Sequence, residues 1–303
     1  MMQRRNFIKN SILAAGALSL PLMENSASVS SMNNQPTTGS FKKSIMWGTV
    51  SLQGSSLDKC KAIKEAGFHG FEANSHADRK EMIDAAKATG LTITDVCCST
   101  HWNKPLTHPD AAIRQEGIEG VITALEDAAA YRTDAVLLVP GMVNETVTYD
   151  ECWNRSTESI KKLIPVAEKL KVVICVENVW NCFLFSPLEA KSYVDQFNSP
   201  YVKFYFDCGN LTLCSWPEQW LNILGDRTVR IHIKEFSRQI ADRQGRWAGY
   251  NAPLTEGDID WAKVMQAIRT HYKHVWLTTE QGTCRTLEEL KDLSSRLDKI
   301  ISM

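Results

Sequence analysis

Four residues of the types that bind metals lie in or at the end of four successive apolar runs of the sequence. They are Glu177, Asp207, His232 and Glu280. Three carboxylates and one imidazole form a hard, oxygen-rich ligand set that suits Mn²⁺, Mg²⁺, Co²⁺ or Zn²⁺. The set contains no thiolate, which disfavours a structural zinc site. We therefore predict that these four side chains bind one divalent metal ion.

This prediction requires the four runs to be neighbouring strands. In residues 228–236, apolar and charged residues alternate, which is typical of a strand and places His232 and Lys234 on one face. The four candidate ligands follow one another at intervals of 30, 25 and 48 residues, each long enough for one strand–helix unit. The alternative is that the acids are unrelated helix caps or ion-pair partners.

Strand-like and helix-like segments alternate along the chain. The predicted strands are 44–49, 68–72, 91–97, 134–139, 172–177, 202–207, 228–236 and 275–280, and helical patterns follow them, with a long connection at 237–258. Eight such pairs predict an α/β protein of the closed, parallel (β/α)8 TIM barrel type, in which strand C-termini converge on one functional face. The alternative, an open doubly wound sheet, needs a glycine-rich phosphate turn after the first strand. Residues 47–54 lack that spacing.

The N-terminus predicts a separate segment. Arg4 and Arg5 precede a mildly apolar stretch, 12–22, and a small-residue stretch, 26–28, which is the order of a signal peptide. The paired arginines resemble a twin-arginine signal and so imply export to the periplasm. The alternative is a disordered basic tail. We predict a signal peptide at 1–30, a linker at 31–43 and the barrel at 44–303.

Composition excludes some classes of function. The chain has 303 residues, 44% of them apolar, and a net charge of −1, so nothing favours nucleic-acid binding. No apolar run is long enough to predict a membrane span. The nine cysteines are odd in number and include no CxxC pair, so we expect buried free thiols rather than a disulfide framework.

Four short motifs resemble those of a known family. They are Val-Glu-Asn at 176–178, Phe-Asp-Cys-Gly-Asn at 206–210, His-Ile-Lys-Glu at 232–235 and Glu-Gly-Asp-Ile-Asp-Trp at 256–261. Together they resemble the xylose isomerase-like TIM barrels, a group of sugar phosphate isomerases and epimerases that includes ketose 3-epimerases and endonuclease IV. The neutral charge and only seven histidines make the endonuclease branch a poor match.

The resemblance implies roles for several residues. In ketose epimerases, the glutamates that match Glu177 and Glu280 bind the metal and also move the proton, so both are candidate catalytic residues. Lys234 is a third candidate, as a polarising or acid–base group or as the partner of a metal-binding carboxylate. Two sugar contacts of those epimerases are changed here, a histidine to Asn210 and a glutamate to Phe183.

Further candidates for substrate binding lie in predicted loops and strand ends. Glu72 ends the second predicted strand, and His101 lies in the loop after the third. Arg238 matches an arginine that the resemblance assigns to sugar binding. Aromatic rings pack against the C–H faces of sugars, so tryptophans in the mouth loops could form a platform. The residues concerned are Trp47, Trp102, Trp180 and Trp247. Residues 238–251 are long enough to form a lid.

The function that these features predict is a divalent-metal-dependent sugar isomerase or epimerase. Its substrate would be a non-phosphorylated keto-sugar or sugar derivative, enolised through a metal-stabilised enediolate. The alternatives are a metal-dependent lyase or hydrolase acting on 3-keto-glycosides, and a non-catalytic sugar-binding barrel. The expected partner is a small sugar, and the sequence is compatible with a homo-oligomer.

Overall fold

Eight parallel strands close into a barrel in sequence order. The computed structural model describes residues 41–303. Each strand pairs with the next, and β1 pairs with β8 to complete the ring. The strands are β1 Lys42–Met46, β2 Gly70–Asn74, β3 Thr92–Cys97, β4 Ala135–Leu138, β5 Val173–Glu177, β6 Val202–Asp207, β7 Thr228–Ile233 and β8 Trp276–Thr279. This confirms the predicted (β/α)8 TIM barrel.

Nine α-helices surround the barrel within residues 41–303. They are α1 Ser56–Glu65, α2 Arg79–Thr89, α3 Ala111–Tyr131, α4 Tyr149–Leu170, α5 Pro187–Asp195, α6 Pro217–Leu224, α7 Arg238–Gln244, α8 Trp261–His271 and α9 Leu287–Ser302. Local sequence sets their ends: Ser55 caps α1 in a capping box with Asp58, and Gly90 ends α2 with a left-handed φ of 66°.

The seventh strand is shorter than predicted. It ends at Ile233 because its neighbour β8 ends at the paired residue, Thr279. The chain then turns around the buried carboxylate of Glu235, which accepts hydrogen bonds from the backbone of Thr255 and the indole of Trp261. The predicted long connection is also partly regular, since it contains α7 and a 3₁₀ segment, Arg246–Asn251.

The core has two parts. A large apolar layer lies between strands and helices, and a small cluster includes Cys97, Leu137, Cys175 and Tyr205. Strand alternation places this second cluster inside the barrel. All nine cysteines are free, and seven are buried, which agrees with the thiol prediction.

The start of the barrel differs slightly from the prediction. β1 begins at Lys42, two residues before the predicted boundary at 44. The predicted signal peptide and most of the predicted linker lie outside the described residues. No helix within residues 41–303 is long and apolar enough to cross a membrane.

Replacing Gly257 by Ala should destabilise the fold. A Cβ there would lie 2.5 Å from the carbonyl oxygen of Phe236 and would also collide with Glu235 Oε1. We expect a loss of about 1–3 kcal/mol in the free energy of unfolding, measured by urea denaturation. Gly48→Ala is the matched control, because its nearest neighbour would lie at 3.6 Å. Equal effects of the two substitutions would contradict this account of the turn.

Candidate metal centre

The four predicted ligands meet at one end of the barrel. Glu177 and Asp207 are the last residues of β5 and β6, His232 is the penultimate residue of β7, and Glu280 follows β8 directly. All strands are parallel, so their C-termini open on the same face. The spacing of four βα units therefore places these side chains around one point.

The distances describe a compact cluster. His232 Nδ1 lies 2.9 Å from Glu280 Oε2, 3.3 Å from Glu177 Oε1 and 3.8 Å from Asp207 Oδ2. One ligand atom from each of the four residues lies within 4.8 Å of all the others. His232, Asp207 and Glu177 are buried, and the side chain of Glu280 is 23% exposed. The cluster is thus open to the barrel mouth on one side.

The residues present fit a divalent cation. Asp207 Oδ2 is buried and has no hydrogen-bond partner, which is costly unless a cation or water satisfies it. The donor set is oxygen-rich, with one imidazole, and matches Mn²⁺, Mg²⁺, Co²⁺ or Zn²⁺.

The carboxylate of Asp207 is held by the turn that follows β6. Its Oδ1 accepts hydrogen bonds from the backbone N–H groups of Gly209, at 2.7 Å, and Asn210, at 2.6 Å. The side chain of Asn178 bonds both the N–H and the C=O of Asp207 at 2.8 Å. Gly209 packs so closely on Lys234 that a Cβ would lie 2.7 Å from its carbonyl oxygen. This packing leaves Oδ2 directed at the cluster.

Glu72 is not at the rim, which corrects the sequence prediction. It lies inside β2, is fully buried, and places Oε2 3.1 Å from His232 Nε2. A carboxylate at Nε2 holds the histidine in the tautomer whose Nδ1 is free for a metal. Glu72 therefore orients a ligand and is shielded from any bound sugar.

Lys234 lies beside the cluster and is ion-paired. Its Nζ is 2.8 Å from Glu280 Oε1 and 3.0 Å from Asn210 Oδ1. Burial lowers the pKa of this lysine, but the surrounding carboxylates, Glu280 first, outweigh burial and raise it above its usual value. Lys234 is thus a cation that can donate hydrogen bonds, and in this state it is not a base.

The carboxyl groups of the cluster differ in acidity. Burial raises the pKa of Glu177, and it raises the pKa of Asp207 to about 7 against the opposing charge of Lys234. Partial burial also raises the pKa of Glu280, but Lys234 and His232 outweigh this effect and hold the pKa well below the usual range. Burial lowers the pKa of His232, but the adjacent carboxylates, Glu72 first, raise it well above its usual value.

The remaining candidates lie in different places. His101 is buried, accepts a hydrogen bond from Val139 N at Nδ1, and has its pKa lowered to about 4 by burial, so it is neutral. Asn210 is also buried and bonds Glu177 Oε1 at 3.4 Å, so it belongs to the support of the cluster. Arg238 donates to Ser215 O at 2.9 Å and stacks on Trp216.

Three of the four predicted platform tryptophans come together. Trp180 stacks on Trp102 at 5.0 Å and meets Trp247 edge-on at 4.8 Å. Trp47 is separate, because it packs on Phe71. Phe183, at the position of the expected glutamate, is buried among Tyr149, Trp153 and Tyr193 and offers no polar contact.

Sequence reasoning missed two residues that contact the site. Tyr250 donates its hydroxyl to Asn210 O at 2.9 Å and lies under Lys234 Nζ at 5.5 Å. Asn178 clamps the backbone of Asp207. The signal for Asn178 was its place in the motif at 176–178, whereas Tyr250 was visible only as an aromatic residue of the predicted lid.

The closed barrel and the ligand cluster at its mouth define a class, the (β/α)8 barrels with a candidate metal centre. Residues 60–298 match the xylose isomerase-like TIM barrel family. The chain belongs to this family.

Relatives of known name are sugar epimerases. The chain is 24% identical over 231 residues to L-ribulose-5-phosphate 3-epimerase of Escherichia coli O1:K1, covering 70% of this chain and 77% of the relative. It is 23% identical over 281 residues to the enzyme of the same name from Salmonella heidelberg strain SL476, covering 86% and 94%.

Solved structures of similar fold carry related names. The apo form of 3-keto-D-glucoside 4-epimerase from E. coli has a TM-score of 0.72 at 16% identity, covering 87% of this chain and 100% of that one. D-Psicose 3-epimerase from Clostridium cellulolyticum H10, with D-tagatose, has a TM-score of 0.69 at 18% identity, covering 86% and 98%. At these identities the similarity establishes the shared fold.

Metal affinity should fall as the pH falls. Asp207 takes up a proton below about pH 7, and the raised pKa values of Glu177 and His232 act in the same direction. A metal cation must displace these protons when it binds. For each proton displaced, the affinity falls by up to about tenfold when the pH is lowered by one unit. We expect the apparent Kd for Mn²⁺, measured by calorimetry, to rise at least about tenfold from about pH 8 to pH 6. A constant Kd in protein that stays folded by circular dichroism would contradict this expectation.

Glu72→Gln should weaken metal binding although residue 72 is not a predicted ligand. Burial raises the pKa of Glu72 to about 8, so the titration is made above that pH, where Glu72 is ionised. There the amide removes the charge at His232 Nε2 and can donate a hydrogen bond to it, which favours the tautomer whose Nδ1 is protonated. We expect the Kd for Mn²⁺ to rise about 10- to 100-fold. The control is Glu126→Gln, which removes an exposed partner of Arg79. A change in Kd below twofold for Glu72→Gln would show that Glu72 does not orient His232.

Proposed function

We propose that this protein is a divalent-metal-dependent sugar isomerase or epimerase acting on a non-phosphorylated keto-sugar or sugar derivative. The observation that carries the proposal is the meeting of Glu177 and Glu280 at His232 Nδ1, with carboxylate oxygens 3.3 and 2.9 Å from that atom. A bound divalent cation would polarise the substrate carbonyl and stabilise the enediolate formed when the adjacent C–H loses its proton.

The two glutamates have the properties of a base and an acid. The pKa of Glu177 is raised by burial, which makes its carboxylate the stronger base toward a C–H proton. Glu280 is ionised and accepts a hydrogen bond from the Lys234 ammonium group at 2.8 Å. In an epimerisation, Glu177 takes the proton from one face of the carbon, and a proton from Lys234 passes through Glu280 to the opposite face. Glu177 then loses its proton to water and Lys234 regains one, which restores the starting state. Lys234 stabilises negative charge at the substrate oxygen.

The relatives support a sugar substrate and an epimerase reaction. Those named above are epimerases of a pentulose phosphate, a 3-keto-glucoside and a ketohexose. We propose a non-phosphorylated substrate because two cationic side chains near the mouth already have partners. Lys234 donates a hydrogen bond to Glu280, and Arg238 donates one to Ser215 O. The twin-arginine resemblance of residues 1–30 supports export, and we propose a periplasmic location on that basis.

A second candidate is a lyase acting on 3-keto-glycosides. It uses the same proton abstraction, after which the group on the β-carbon leaves with its bonding electrons. The observation that favours it is the loss of two polar sugar contacts, because Phe183 is buried in an aromatic cluster and Asn210 is used to support Glu177 and Lys234. Simple sugar binding is less favoured, since it does not need one carboxyl group of raised pKa beside another of lowered pKa. Hydrolysis with the same ligands is less favoured because the relatives named above are epimerases.

Hydrogen exchange tests these functions directly. Full-length protein with Mn²⁺ is incubated in D₂O with D-fructose, D-psicose, D-tagatose and a 3-keto-glucoside, and the products are followed by NMR. Deuterium entering an intact sugar supports the isomerase or epimerase, and release of the aglycone supports the lyase. Glu177→Gln should lower either rate by about 10²–10⁴-fold.

The same variant separates catalysis from binding. If the protein only binds sugars, Glu177→Gln should change neither the Kd for a sugar nor any exchange rate above background. Absence of both deuterium uptake and aglycone release in the metal-loaded protein would overturn the proposed function and its runner-up together.

A further inference from the structure

Four aromatic rings form a continuous row across the loops at the barrel mouth. Trp102 follows β3, Trp180 follows β5, and Trp247 and Tyr250 follow β7. Successive ring centroids lie 5.0, 4.8 and 6.1 Å apart. We name these four residues the aromatic arc. Three different loops contribute to it, so tertiary structure and not local sequence brings the rings together.

One end of the aromatic arc reaches the candidate metal centre. At the far end, Trp102 meets the ring of His101 edge-on at 5.5 Å. At the other end, the Tyr250 hydroxyl bonds Asn210 O, and Lys234 lies over the Tyr250 ring. The arc therefore borders the place where the reacting sugar would lie.

The loop that carries Trp180 is held rigidly in a conformation that costs energy. Cys182 and Leu184 have left-handed φ values of 59° and 58°, which non-glycine residues rarely adopt. Asn181 Nδ2 donates to Gly141 O at 2.6 Å, and the Tyr149 hydroxyl accepts from Leu184 N at 3.0 Å. Such strain persists only where the surroundings enforce it and is concentrated at ligand sites.

Trp247 presents most of its surface to solvent. It is 55% exposed, although exposing a large indole to water is unfavourable, and Arg246 lies over its ring at 4.9 Å. Trp102 and Trp180 are half-buried. The arc thus offers three indoles with solvent-accessible surface in one row, so a second ring beside the reacting sugar would find an aromatic face to pack on.

We propose that the aromatic arc binds a second, uncharged ring that is joined by a glycosidic bond to the reacting sugar. The substrate is then a keto-glycoside with a sugar or aromatic aglycone, rather than a free ketose. The C–H face of a sugar or the face of an aromatic ring packs on Trp247 and Trp180, and the reacting ring occupies the metal centre. This inference rests on the proposed function, because it extends the substrate of the same site.

Unreactive glycosides test the inference without catalysis. Full-length protein with Mn²⁺ is titrated by calorimetry with phenyl β-D-glucopyranoside and with methyl β-D-glucopyranoside, neither of which has a ketone to enolise. We expect the phenyl glycoside to bind at least about tenfold more tightly. Trp247→Ala should reduce this preference to below about threefold, and Trp247→Phe should restore most of it.

The matched control is Trp216→Ala. Trp216 is 53% exposed and also carries an arginine on its face, but none of its ring contacts involves the aromatic arc. This variant should keep the full preference for the phenyl glycoside. Equal affinity of the wild type for both probes, no binding of the phenyl glycoside, or an equal loss in Trp216→Ala would each overturn the inference. If the wild type prefers the phenyl glycoside but no deuterium enters any ketone, the proposed function alone is overturned.

Discussion

An excess of negative charge held away from water at the barrel mouth is the constraint on which the rest of the site depends. The carboxyl groups of Glu72, Glu177, Asp207 and Glu280 gather around only two cationic groups, those of His232 and Lys234. Uncompensated buried charge is costly, and buried carboxylates reduce that cost by taking up protons or by binding a cation. The raised pKa values of Glu72 and Asp207, about 8 and 7 and both caused by burial, show the first response.

The barrel can hold this charge because its strands fix the positions of the side chains. Asp207 is paired in register with His232 across β6 and β7, and Asn178 clamps the backbone of Asp207 from β5. Behind this layer, Glu72 contacts the far side of the imidazole. Strand pairing and the contacts of Asn178 and Glu72, rather than flexible loops, therefore set the positions of the four side chains.

The sequence predicted the barrel and the meeting of the four candidate ligands because both depend on local, periodic signals. Short β-branched runs alternate with helical patterns, and three of the four candidate ligands close a run, while His232 lies inside one. Glu72 was placed wrongly because the second strand spans Gly70–Asn74 and not 68–72, a shift of two residues that moves this acid from the rim into the barrel. Strand boundaries depend on the partner strand, since the β1–β2 ladder begins at Ser44 and Gly70. The pattern of a single sequence does not identify the partner strand or the residue at which pairing with it begins.

Contacts between loops were beyond sequence reasoning for a related reason. Trp102, Trp180 and Trp247 were recognisable as mouth residues, but nothing in their spacing predicts that Trp180 lies between the other two. Loops tolerate more sequence change than the strands that they connect. Phe183 illustrates this separation: it replaces a polar side chain expected from the resemblance, yet β5 still delivers Glu177 to the cluster. The four candidate ligands lie at strand ends and the aromatic arc lies in loops, so the proposed proton transfer and the proposed recognition of a second ring depend on different parts of the fold.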